Sequence, residues 1–135
     1  KRFTATMLRP KPLADVLRQA ATGGVNRVTL LKQDGSLLAY AGEANKDPEV
    51  HAALASNIWG SYHVKAEAPK ETGDLGSVYL HCEGGKLVIT RVASVLIVLM
   101  SDESVGFGML KAKADAIVRY LDEPLSKVDM MMDGD

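Results

Sequence analysis

The sequence predicts an α/β (α+β) domain of element order α-β-β-α-β-β-β-α, a five-stranded sheet with helices on both faces. Three observations lead there. The run Val95-Leu96-Ile97-Val98-Leu99-Met100 has no polar alternation, so both of its faces must be covered, which places it at the centre of a sheet. Short apolar runs separated by Asp34-Gly35 and by Glu83-Gly84-Gly85 read as hairpins. Three other segments carry apolar residues at helical spacing.

Pro10 and Pro12 mark the start of the first helix, and Leu13, Val16, Leu17 and Ala20 give it one buried stripe. Thr22-Gly23-Gly24 ends it, because glycine readily takes the left-handed cap conformation. Val25 to Gln33 and Ser36 to Ala41 form a hairpin about Asp34-Gly35, where both turn positions favour positive φ. Asp47 caps a second helix with Pro48 at its first position, running to about Tyr62. Lys65 to Gly76, polar with Pro69 and two glycines, reads as the most mobile internal loop. Strands follow over Val78–Cys82, Lys86–Ala93 and Val95–Met100, with a tight turn at Ala93-Ser94. Val78, Leu80 and Cys82 alternate with Ser77, Tyr79 and His81, which suits an edge strand with neither inward charge nor proline to protect it. The last helix runs from about Val105 to Leu121, with Pro124 closing or kinking it. Asp129 to Asp135 shows no period and reads as a flexible acidic tail.

The second helix is the informative one. Val50, Leu54 and Ile58 recur every four residues and read as its core stripe. Ala52, Ala55, Ser56 and Trp59 make a second face of small side chains ending in the single tryptophan, a common interface anchor. A helix lying on one core needs one apolar face, so the other is expected to hold a second protein.

Composition narrows the function classes. With 135 residues, 47% hydrophobic and 24% charged, the chain has the size and balance of one soluble globular domain. A net charge of −1 gives no electrostatic footprint for nucleic acid or an anionic membrane. Cys82 is the single cysteine, so an internal disulfide is impossible and a reducing compartment is expected. The apolar run Leu87 to Met100 is interrupted by Thr90, Arg91 and Ser94 and is too short to cross a bilayer. Lys1 to Thr6 has no apolar region of a secretory signal.

Candidate chemistry is sparse. His81 and Cys82 are neighbours on a strand and point to opposite faces, so they form no dyad, and Cys82 reads as a small buried hydrophobe. His51 and His63 stand twelve apart on one helix, too distant to share a metal. Gly106-Phe107-Gly108 lacks the third glycine and the lysine of a phosphate loop and reads as close packing of a helix end. Lys111 and Lys113 form a solvated face, and the acids after Val128 lack calcium-loop spacing. A thiol- or metal-dependent enzyme would need a convergent pocket holding Cys82 or a histidine.

Several strings occur together and in order: Met7-Leu8-Arg9-Pro10-Lys11, Thr22-Gly23-Gly24-Val25, Gly35-Ser36-Leu37-Leu38-Ala39-Tyr40, Ala55-Ser56-Asn57-Ile58-Trp59, Ile89-Thr90-Arg91-Val92-Ala93 and Val105 to Ala114. The set resembles the roadblock/dynein-light-chain superfamily, and within it the roadblock subunits of the Ragulator complex, the late endosomal/lysosomal adaptor of MAPK and mTOR signalling. It spans about Met7 to Val128. The resemblance implies the roadblock (profilin-like) fold with an antiparallel sheet of order 2-1-5-4-3. It implies a scaffold without catalytic residues or cofactor, heterodimeric with subunit 3 of that complex, the other roadblock-fold chain. In such a dimer the second helices pack together and the third strands pair. Ala52, Ala55, Ser56 and Trp59 then face the partner helix, and Ser77, Tyr79 and His81 lie on the paired edge running to Cys82. A lipidated subunit wraps the dimer and holds it at the late endosome or lysosome, so membrane contact is indirect. There the dimer supports the Rag GTPases and a MAPK-pathway kinase. The alternative is a homodimeric roadblock protein acting as a dynein light chain or a small-GTPase regulator. Val64 to Asp74 departs from the family's sequence, so no contact is carried over for it. The expected layout is an extension over 1–6, the domain over 7–128 and the tail over 129–135.

Overall fold

Strand Val95–Ser101 lies at the middle of a five-stranded sheet in which every neighbouring pair is antiparallel. The structure is a computed structural model. It describes residues 10–42, 47–67 and 76–133, and side chains over 13–42, 47–62 and 76–121. The expected extension over 1–6 and most of the expected loop, 68–75, lie outside the described residues.

The elements are α1 (Pro10–Ala20), β1 (Val25–Lys32), β2 (Leu37–Gly42), α2 (Pro48–Glu67), β3 (Ser77–Cys82), β4 (Gly85–Val92), β5 (Val95–Ser101) and α3 (Phe107–Asp133). Sheet order is β2-β1-β5-β4-β3, which leaves β2 and β3 as the two edges. The unbroken apolar run of β5 is explained by what covers it. Val95, Ile97 and Leu99 pack with Leu13, Leu17 and Ala20 of α1 and with Leu110, Ala114, Ile117 and Leu121 of α3. Leu96 and Val98 point the other way, into a smaller cluster with Leu31, Val78, Ile89 and three residues of α2. One sheet face thus carries two helices and the opposite face carries one.

Local details fit the residue chemistry. The first hairpin turns through Gln33-Asp34-Gly35, a three-residue loop instead of the expected two-residue one. Gly35 takes a φ of 99° and donates its N–H to the Lys32 carbonyl at 2.9 Å. The Asp34 carboxylate accepts the Ser36 N–H at 2.9 Å, which holds the loop without a positive φ at Asp34. The α1 carboxyl end is capped from a distance: Lys113 Nζ sits 3.2 Å from the Ala20 carbonyl and 3.2 Å from Thr22 Oγ1, a cation on the negative end of a helix. Ala93 turns the β4–β5 hairpin at a φ of 53°.

Three further expectations are corrected. The last helix begins at Phe107 and continues through Pro124 to Asp133, past the end foreseen near Leu121 and into the stretch read as a flexible tail. A proline removes one helical hydrogen bond, and the leucine and methionines beyond it are good helix formers. Cys82 is exposed, not buried, because it ends an edge strand beyond the cover of α2. The third correction concerns α2. Its inward face is the small one: Ala52 is 0% exposed, Ala55 2% and Trp59 2%, whereas Val50 and Leu54 are 51% and 53% exposed. The sheet beneath supplies the bulk through Leu31, Ile89, Leu96 and Val98, so alanines let the helix sit close and the indole fills the remaining space.

Trp59 therefore belongs to the core of its own chain. Trp59→Ala is expected to destabilise the isolated domain by about 3–5 kcal/mol in chemical denaturation, whether or not a partner is present. Gly42 has a φ of 111°, and a Cβ there would lie 2.1 Å from the Asn26 carbonyl oxygen. Gly42→Ala should cost about 2 kcal/mol or more in the same assay. In the turn before α3, Asp102 accepts hydrogen bonds from the Ser104 hydroxyl and, at 3.0 Å, from the Ser104 N–H. These bonds, the hydroxyl first, hold its carboxyl below the usual value of 3.8. The folded carboxyl is the stronger acid, so its contribution is present above that value and fades as pH falls through the lower folded one. The stability gap between wild type and Asp102→Asn should accordingly close in the acid limb of a pH titration.

Candidate protein-binding surface

The side chains that α2 turns away from its own sheet form an apolar stripe. Val50, Leu54 and Tyr62 are exposed and Ile58 is half-buried. At 100° per residue, His51, Ile58 and Tyr62 share one flank of the helix. The opposite flank is tied to the first hairpin, where Ser56 Oγ donates to the Gln33 carbonyl at 2.6 Å and Ala53 lies against Gly35. The helix thus sits over β1 and β2, and its apolar flank looks toward β4 and β3.

Among the described residues, that half of the sheet face is thinly covered. Leu80, Leu87 and Met100 are partly buried around the rim of the small cluster. Beside them, Arg27 and His51 border a groove of about 270 Å³ with Cys82, Leu87 and Met100. Arg27 Nη1 stands 2.7 Å from His51 Nδ1 and ties the amino-terminal half of α2 to β1.

The free edge continues this surface. Register pairs Ser77 with Thr90 and Cys82 with Gly85 across the β3–β4 hairpin. Arg91 donates its N–H to the Gly76 carbonyl at 3.0 Å, which fixes the phase of the ladder. Alternation in an antiparallel pair then turns the N–H and C=O groups of Val78, Leu80 and Cys82 toward β4 and those of Ser77, Tyr79 and His81 outward. The outward residues are the three foreseen as the pairing edge. Their side chains lie on the α3 face of the sheet: Ser77 Oγ meets Thr90 Oγ1 at 3.1 Å, and the Tyr79 ring meets Phe107 edge-on at 5.7 Å. His81 Nε2 lies 3.4 Å from a Glu103 carboxylate oxygen.

Of the residues foreseen to face a partner, Ala52, Ala55 and Trp59 are occupied by their own core, and Ser56 is bonded to the hairpin. Ser77, Tyr79 and His81 lie on an edge strand of the described sheet. The side chains that α2 exposes are instead Val50, Leu54 and Tyr62, with Ile58 half-buried and Leu80 and Leu87 partly buried beside them. The signal for Val50, Leu54 and Ile58 was present as a four-residue period, read as facing inward. Among the described residues no three His, Cys, Asp or Glu side chains stand close enough to hold a metal ion, and no helix is long and apolar enough to cross a membrane.

Comparison with known proteins agrees with this architecture. Residues 13–101 match the model of the Roadblock/LC7 domain. The chain belongs to that family. It is 34% identical over 125 residues to the Ragulator complex protein LAMTOR2 homolog of Caenorhabditis elegans, covering 90% of this chain and 96% of the relative. The resemblance to Ragulator roadblock subunits read from the sequence strings is thereby borne out. Among solved structures, Myxococcus xanthus MglB superposes with a TM-score of 0.78 at 18% identity, covering 87% of this chain and 97% of that one. A Roadblock/LC7 domain from Streptomyces avermitilis gives 0.71 at 17% identity, covering 81% and 91%. Acanthamoeba castellanii profilin IA gives 0.57 at 12% identity, covering 84% and 97%. These three likenesses concern the fold, and they bear out the roadblock/profilin-like class.

Tyr79→Pro provides a selective test of the edge. Its N–H points outward, so proline leaves the β3–β4 ladder intact and removes the central donor for an incoming strand. The isolated chain should lose about 1 kcal/mol with the Phe107 ring contact, a loss that Tyr79→Ala shares, while association with a strand-pairing partner should fall about tenfold or more in the proline variant alone.

Proposed function

We propose that this chain is a non-catalytic scaffold subunit of a Ragulator-like complex, working by presenting surfaces to other proteins. The observation that carries the reading is the continuity of the exposed α2 stripe with the free β3 edge, in a chain 34% identical to a LAMTOR2 homolog. The partner is a second roadblock-fold chain, subunit 3 of the same complex. Its own second helix lies along Val50, Leu54, Ile58 and Tyr62 and over Leu80 and Leu87, and its edge strand pairs with Ser77, Tyr79 and His81. Both halves of the seam fit one docking event, because a helix laid beside α2 covers the same side of the sheet that a paired strand extends. A specific interface of this kind buries about 1,200–2,000 Å² in total.

In this reading the remaining helical face, built by α1 and α3, receives other members of the complex. A lipidated subunit wraps the dimer and holds it at the late endosomal or lysosomal membrane. The assembled platform supports the Rag GTPases of amino-acid signalling to mTORC1 and a MAPK-pathway kinase. Nucleic acid has no part in it.

Light scattering on the chain alone and mixed with subunit 3 tests the pairing: a one-to-one dimer is the expected result. A stable homodimer that ignores subunit 3 would overturn it in favour of a homodimeric roadblock protein. Leu54→Asp should leave the melting temperature within about 2 °C, since the side chain is exposed, and weaken association about 30-fold or more, the effect of a hot spot of about 2 kcal/mol.

A further inference from the structure

The outer face of the α1–α3 layer carries a groove of about 370 Å³, lined mainly by Val16 and Ala20 of α1 and by Lys113, Ala116, Ile117 and Tyr120 of α3. Its floor belongs to the core, since Ala20 and Ile117 are buried there. Its α3 wall does not. Ala116 is exposed, and so are Met109 and Tyr120, by 54% and 41%. With Lys113 these residues stand four, three and four positions apart, a stripe about 16 Å long. That is the spacing by which a helix meets a second helix side by side. It is distinct from the inward stripe of Leu110, Ala114, Ile117 and Leu121. The α1 wall adds a half-buried Val16, and the alanines keep both walls low, so another backbone can come close. Charge around the groove is one-sided. Asp15 is paired with Arg18 on α1, and Asp115 with Lys111 at 2.8 Å on α3. Lys113 meets two neutral oxygens, the Ala20 carbonyl and the Thr22 hydroxyl. Arg119 is exposed one residue before Tyr120. Among these described side chains each acid has its own base, and two bases are left over.

We propose that this groove receives one amphipathic helix of another protein, with aliphatic residues on the face that meets the groove and acids along its flanks. The proposal deepens the reading above, and rests on it only in taking the α1–α3 face as one that other proteins bind. The aliphatic side chains seat between Val16 and Ala116, beside Met109 and Tyr120, in the helix-in-groove manner. Methionine adapts to irregular surfaces and tyrosine gives contact area at low entropic cost, so the site tolerates variation among the incoming aliphatic residues. The flanking acids meet the positive field of Lys113 and Arg119, which repels a basic helix. An extended strand is the poorer fit, because its own backbone groups would lie unpaired over an apolar floor.

The probe is a stapled helical peptide of about 15 residues, with leucines four, three and four positions apart and glutamates on both flanks. Amide and methyl resonances of the full chain are followed as it is added at low salt. Saturable shifts are expected at Val16, Met109, Ala116 and Tyr120. The affinity should be about tenfold or more above that of the same peptide with lysines in place of the glutamates. Ala116→Glu should weaken binding of the acidic peptide about tenfold or more, and thermal unfolding of the variant confirms its fold. Equal binding by the two peptides, shifts on α2 instead of the groove, or no saturable shift overturns the proposal. Leu54→Asp should leave peptide binding unchanged, which separates this surface from the seam. Peptide binding by a chain that does not pair with subunit 3 sinks the seam and leaves the groove. Pairing without peptide binding sinks the groove and leaves the seam.

Discussion

The burial of β5 on both faces is the constraint on which the rest of the molecule depends. A strand with Val95, Ile97 and Leu99 on one side and Leu96 and Val98 on the other has no face to give to water. It must be flanked by strands and roofed twice. The two roofs differ in construction. On one side α1 and α3 bring leucines and an isoleucine to a broad core. On the other, α2 brings two alanines and an indole, so that helix approaches the sheet closely but covers little of its width. A helix is about 10 Å across and five strands span roughly twice that. Among the described residues the remainder of that face is thinly covered, is flanked by exposed aliphatic side chains and ends at the β3 edge.

Element order, the central strand and the hairpins were legible because each is written in local chemistry: an unbroken aliphatic run, a helical period, a glycine where φ is positive. The position of β3 at an edge was legible from its polar alternation. The direction of α2 was not. Both of its faces are apolar, and hydrophobicity ranks Val50, Leu54 and Ile58 above Ala52 and Ala55. What decides is volume, since the large side chains of the sheet leave room for small ones opposite, and that complementarity involves residues 20 to 50 positions away along the chain. For the same reason no local pattern joins Arg27 to His51, or shows that Cys82 ends its strand beyond the reach of α2. The last helix failed differently: Pro124 suggested its end and the stretch from Asp129, acids and methionines without a period, suggested disorder, yet one lost hydrogen bond does not end a helix made of good formers.

Family membership and surface geometry bear on different parts of the function. The Roadblock/LC7 match accounts for the scaffold and its topology, which distant structures at 17–18% identity share. It does not choose a partner, because an edge strand offers the same backbone groups whatever its side chains. Choice among partners is a matter of side chains. Exposed aliphatic side chains such as Val50 and Leu54 discriminate little among apolar surfaces.

The burial of Trp59 has a practical consequence. It is the single tryptophan of the chain and lies 2% exposed within its own protomer. Its emission therefore follows whether this domain is folded and is shielded from events at the outer surface of α2. Added to a partner that carries no tryptophan, the chain brings its own optical gauge of folding, and assembly has to be followed by mass or diffusion.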